Sequence, residues 1–208
     1  MSVSITFPAV CIGTKYVIDS AAVDRIREVI RRGGLVVHPT DTIYGLAADP
    51  HQEAAVTRVY EVKARPRDLA LSMALADVAD LFRYGVRTPL AERFCAKNLP
   101  GPYTVVLRAT EEAPKSLVSK GGLIGLRIPD HPIPRLLVKT CGPITSTSAN
   151  RHGQPSPATC EEAKAQLGER VDVYVDAGPT PLGQESTVVD LSGPKAKILR
   201  PGAIPRGA

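Results

Sequence analysis

The chain has 208 residues, 43% of them hydrophobic, 4% aromatic and none tryptophan, with a formal net charge of +5. That length fits one compact domain or two small ones, with a core that needs neither disulfides nor a metal to hold it. So few aromatics leave a single-strand nucleic-acid surface poorly supplied with stacking rings. The modest positive charge favours anionic partners such as nucleotides, phosphates or RNA.

In chain order, the first predicted element is a helix over 20–32. Ser20 is its N-cap, Val23, Ile26, Val29 and Ile30 fall at helical spacing, and Gly33-Gly34 ends it. The apolar run 35–40 reads as a buried strand stopped by Pro39. Helical period returns over 52–62, and 70–75 reads as a strand. Thr88 followed by Pro89 is a cap and a first-turn proline, predicting a helix over 89–97. Strands follow at 103–109 and 123–129, a helix at 132–140, and a strand at 143–150 that runs into a polar loop. Thr159 and Glu162 form a capping box for a helix over 160–167. Alternating segments at 171–176, 186–191 and 196–202 close the chain as strands.

Helices and strands interleave, and no linker or repeat divides the sequence. This predicts a single α/β domain over 1–208, core about 20–202, with a twisted mixed parallel and antiparallel sheet flanked by helices. The antiparallel part should involve the closing strands, which follow one another without helices.

Cys11, Cys95, Cys141 and Cys160 lack C-x-x-C spacing, and His38, His51, His131 and His152 lack ligand spacing. Idle thiols in a reducing compartment and no metal site follow. No stretch approaches the roughly 18 apolar residues of a membrane span, and no signal-peptide pattern opens the chain. A soluble, cytoplasmic protein is expected.

Polar clusters sit where strands end, which is where open α/β sheets bind ligands. In 38–46, Thr40, Asp41 and Thr42 form either a turn closing on its own backbone or a ligand loop. Lys63, Arg65 and Arg67 point to one side if that stretch is extended, as a solvated basic loop or a polyphosphate cradle. Arg127, between Leu126 and Ile128, faces either solvent or a site, because burying an unpaired guanidinium is costly. Small hydroxyl residues in 146–150 and at Ser156 let a ligand approach the backbone, and Glu185, Ser186, Thr187 and Arg200 form a last cluster. P-loop, dinucleotide, zinc-protease and serine-hydrolase motifs are all missing. The residues alone therefore reach a cationic, hydroxyl-rich anion site and do not name a reaction.

Taken in order, PTDTIYGL, KARP, PGPYTVVL, GLRIP, STSAN with PSP, ESTVVDL and LRPG resemble the YrdC family of threonylcarbamoyl-AMP synthases over about residues 20–202. The resemblance implies a nucleotidyltransferase. L-threonine, bicarbonate and ATP would give threonylcarbamoyl-AMP and pyrophosphate, with Mg2+ carried by the triphosphate. A partner transferase complex would then use the product in t6A modification of tRNA at position 37. By position, Lys63 and Arg65 would be catalytic and bind ATP together with Ser148, Asn150, Ser156 and Arg200. Thr42, Arg127, Ser146 and Ser186 would bind L-threonine, with Thr40 adjacent. No metal ligands are implied in the protein itself.

Two departures stand out. Where the family commonly reads K-x-R-P-x-x-x-P-L-x-x-H, Ala70 replaces the second proline and Ala74 the histidine, so the implied threonine contact set is smaller. The chain also resembles the short form of the family, without the extra C-terminal domain. Two other readings are a non-catalytic module binding tRNA or double-stranded RNA by shape, and carbamoyl-adenylate chemistry on another acceptor.

Overall fold

A computed structural model describes residues 4–12 and 15–204. Twelve strands are named in chain order: β1 (Ile5–Pro8), β2 (Val10–Ile12), β3 (Lys15–Val17), β4 (Val36–His38), β5 (Gly45–Ala47), β6 (Ser72–Ala74), β7 (Tyr103–Arg108), β8 (Leu123–Arg127), β9 (Ile144–Ser148), β10 (Val173–Asp176), β11 (Thr187–Asp190) and β12 (Lys197–Arg200). The helices are α1 (Ser20–Arg31), α2 (Glu53–Lys63), α3 (Val78–Tyr84), α4 (Pro89–Asn98), α5 (Pro132–Cys141) and α6 (Cys160–Leu167).

Local chemistry explains most helix boundaries. Thr88 accepts from Ala91 N at 3.1 Å, with Pro89 in the first turn of α4. The predicted capping box is present at α6, where Thr159 Oγ1 accepts from Glu162 N at 3.2 Å and Glu162 returns the bond to Thr159 N. At α1 the cap is Asp19, one residue before the expected Ser20, with its carboxylate accepting from Ala21 N at 3.4 Å. The basic stretch 62–68 is not extended. Lys63 is the last residue of α2, and Ala64 follows in the left-handed region at φ 48°. Arg65 N then donates to Tyr60 O at 2.9 Å, closing the helix. Lys63, Arg65 and Arg67 therefore do not share a side. Arg67 instead lies over the Tyr60 ring and donates to Thr57.

Ten strands form one sheet in the order β1-β10-β4-β5-β9-β6-β8-β7-β11-β12, and β2 and β3 make a separate hairpin. Pairing is mixed: β6 and β8 run parallel, whereas β5, β9 and β6 alternate antiparallel. The closing pair β11/β12 is antiparallel, as expected. However, β10 and β11, consecutive in sequence, lie toward opposite edges with six strands between them. The segment joining them therefore crosses the end of the sheet. It is fastened there by Thr180 N to Ala158 O at 2.9 Å and Leu182 N to Asp41 O at 3.1 Å.

Side-chain parity decides where the cavity falls. One parity of the central strands carries Leu46, Met73, Leu107, Ile124 and Leu126 into a core shared with α2, α3, α4 and α6. The other parity packs Val36, Ala47, Ile144, Val173 and Val175 beneath α1 and α5. Further along that second face no described helix covers the sheet, and the residues become small or polar: Gly45, Ser72, Gly125, Ser146 and Ser148. A face that cannot make a core is left as a floor.

Cys95 and Cys160 are buried, Cys141 is half-buried, and all three are free thiols; the Cys11 side chain lies outside the described part of the structure. No described helix is long and apolar enough to cross a membrane. No group of three or more His, Cys, Asp or Glu among the described residues is placed to hold a metal.

Candidate active site

The floor opens into a cleft of about 670 Å³, a size suited to a small ligand. Lys63, Arg65, Arg127 and Arg200 line it, with Ser146, Ser148, Asn150, Ser186, Thr40, Thr104 and His38. Glu185 is the one carboxylate among the lining residues described. Residues from distant parts of the chain thus meet in one cavity. Thr42 and Ser156 do not line it, but each bonds a residue that does, Thr42 to Arg127 and Ser156 to Glu185.

At one end Arg127, almost wholly buried, donates from Nη2 to Asp41 Oδ1 at 2.6 Å and to Thr42 Oγ1 at 2.8 Å. Register places it: Arg127 on β8 lies between Ala74 of β6 and Thr104 of β7. The 40–43 loop does close on its own backbone. Thr40 Oγ1 accepts from Thr42 N at 3.1 Å and Ile43 N at 3.2 Å, and donates to Ile43 O at 2.7 Å. That closure holds Thr42 as a strut, 2.9 Å from Thr40 Oγ1, and leaves Thr40 facing the cleft. Burial lowers the Arg127 pKa and the Asp41 charge works against that shift. Asp41 Oδ2 and Arg127 Nε are both buried without a hydrogen-bond partner.

At the other end Lys63 is buried, and Nζ donates to Ser148 O, to Asn150 O at 2.7 Å and to Asn150 Oδ1 at 3.3 Å. His152 N in turn donates to Lys63 O at 2.7 Å. The lysine thereby shapes the 148–152 loop from beneath. Burial, and then the neighbouring Arg65, push its pKa down to about 7. Arg65 is held over the cleft by Leu69 O at 3.0 Å and Ala70 O at 3.3 Å. Burial lowers its pKa too. Between the two ends, Ser186 Oγ lies 2.9 Å from Thr104 Oγ1, and Arg200 Nη2 donates to Ser186 O at 2.9 Å.

Two features escaped the sequence reading. Asp41 was seen as a loop carboxylate but not as the partner of Arg127, which is 86 residues away. The sequence places His38 in a motif and among histidines without ligand spacing, and assigns it no role. Its Nδ1 lies 3.0 Å from Pro39 O, and a Cβ on residue 45 would crowd its ring at 3.2 Å, so glycine there gives the imidazole room. Burial pushes the His38 pKa down to about 4, so it presents a neutral imidazole to the cavity.

The family model of the Sua5/YciO/YrdC domain, described as telomere recombination, matches residues 28–202. The chain belongs to the Sua5/YciO/YrdC family. A threonylcarbamoyl-AMP synthase of Bacillus subtilis is 36% identical over 179 residues, covering 85% of this chain and 52% of the relative. The crystal structure of Pyrococcus abyssi Sua5 complexed with L-threonine superposes with a TM-score of 0.89 at 33% identity, over 97% of this chain and 58% of that one. That of Escherichia coli YciO gives 0.85 at 29% identity, over 97% and 96% of the two chains. The chain thus spans little more than half of the Bacillus and Pyrococcus proteins and nearly all of YciO.

Proposed function

We propose that this member of the Sua5/YciO/YrdC family joins L-threonine, bicarbonate and ATP into threonylcarbamoyl-AMP, releasing pyrophosphate. The observation that carries the reading is that Arg127, braced by Asp41 and Thr42, lines the same cleft as Lys63, Arg65 and Asn150. The threonine bound in the Sua5 relative and the activity named for the Bacillus relative support it.

Threonine would lay its carboxylate against Arg127 and its hydroxyl among Thr40, Ser146 and Ser186. Thr42 would act through Arg127. The triphosphate would lie across Arg65, Arg200, Lys63 and the Ser148–Asn150 loop, with the Ser156 hydroxyl as a further donor. The threonine amine takes up the carbon of bicarbonate with loss of water, giving a carbamate; a carbamate oxygen then attacks the α-phosphorus, and its bond to phosphorus forms as the bond to pyrophosphate breaks. Such a transfer needs positioning and charge neutralisation rather than a protein nucleophile. Mg2+ fits as an ion bound mainly by the triphosphate oxygens, because a cleft with one lining carboxylate offers no protein cage. The product would pass to a transferase acting on tRNA in the cytoplasm.

Pyrophosphate release tests the proposal. It should need threonine, bicarbonate and ATP together, and Arg65→Ala should abolish it with the circular dichroism spectrum unchanged. Release that ignores either threonine or bicarbonate refutes it.

A further inference from the structure

Glu185 stands among cations yet belongs to neither end of the cavity. One carboxylate oxygen pairs with Arg200 Nη1, and the other accepts the Ser156 hydroxyl. Its charge also bears on Lys63 and Arg65. It therefore occupies the donors of two residues that a phosphate would use, and it does so with the same kind of oxygen acceptor. Its backbone is pinned: Ala203 N donates to Glu185 O at 2.7 Å, and a Cβ on Gly202 would lie 2.3 Å from that oxygen. Its side chain, by contrast, is about a third exposed, with 34% relative accessibility. The main chain is held, and the side chain is partly open to solvent.

We propose that Glu185 is a built-in competitor for polyphosphate. When triphosphate enters, Arg200 and Ser156 pass from the carboxylate to phosphate oxygens and Glu185 turns out to solvent. After the reaction the carboxylate reclaims both donors and helps expel pyrophosphate. Ser156 does not itself line the cleft, and its hydroxyl is engaged by Glu185, which does. The inference rests on reading the cleft as the nucleotide site.

The test is calorimetric binding of pyrophosphate and of ATP to the full chain, for wild type, Glu185→Gln and Glu185→Ala. The glutamine keeps the shape and removes the charge. The expected result is about tenfold tighter pyrophosphate binding by both variants, the size of one charged hydrogen bond released. Pyrophosphate should also become a stronger product inhibitor, and kcat should fall while the threonine KM holds. A merely structural glutamate predicts weaker binding on substitution. Binding by the variants no tighter than by wild type, while wild type binds both ligands, overturns the competitor role alone. Failure of wild type to bind either ligand removes the nucleotide site and this inference with it.

Discussion

Lys63 is the residue whose protonation the site most directly controls. Burial pushes its pKa down to about 7 from an ordinary 10.5, and a bound triphosphate favours the charged form. Between the lowered and the restored value the complex holds more protons than the free protein. Nucleotide binding is then accompanied by proton uptake, and affinity falls as pH rises above about 7. Calorimetry in two buffers of different ionisation enthalpy should show the uptake at pH 8 and lose it in Lys63→Arg; no uptake would remove Lys63 from the phosphate site. Arg127 makes the complementary case. Arg127→Lys keeps the charge paired with Asp41 but loses the planar fork. The threonine KM should rise about tenfold or more while the ATP KM stays within about twofold, read as lost ground-state binding of one substrate only. Equal rises in both would contradict the division of the cavity.

Among the elements, the turn after α2 aims both Lys63 and Arg65 at the cleft, and a left-handed alanine makes that turn. An L-residue there costs on the order of 1 kcal/mol relative to glycine. Ala64→Gly should therefore raise the melting temperature by about 2–4 °C, measured by calorimetry; a fall would mean that the alanine side chain is needed. The same element shows what sequence can and cannot reveal. The caps of α4 and α6 were legible because each signal lies within four residues of the bond it makes. The turn at 64 was not, because alanine gives no sign of a positive φ and Pro66 suggested extension instead. Strand β5, three residues long inside the Thr40–Ala48 stretch, and α3 were missed for want of a full period. The separation of β10 from β11 was invisible locally, since pairing with distant strands decides it. Yet that separation draws Glu185 and Ser186 across to the cleft.

For the molecule as a whole, the site exists because one face of the sheet runs out of helices where it also runs out of large side chains. The motif order identified the family, whereas this geometric cause needed the fold. Stability should carry an acid limb from buried imidazoles. Burial pushes the pKa values of His38 and His131 down to about 4 from 6.5. Above 6.5 both are neutral, folded or unfolded, and nothing is lost. As pH falls from 6.5 to 4 the unfolded chain takes up protons that the folded one refuses, at a cost of about 3 kcal/mol for each. His131 also caps α5, accepting from Ile133 N at 3.3 Å, and asparagine serves the same purpose. In urea unfolding between pH 7 and 4.5, His131→Asn should therefore flatten the decline; an unchanged slope would place the acid sensitivity elsewhere.

The claim that matters most is that amino acid, carbon dioxide equivalent and nucleotide are joined in this one cavity. Incubation with ATP, threonine and 13C-bicarbonate, followed at once by mass spectrometry, examines it directly. The account predicts an adenylate that carries the mass of threonine plus one labelled carbonyl. An unlabelled adenylate, or none while ATP is consumed, would contradict it.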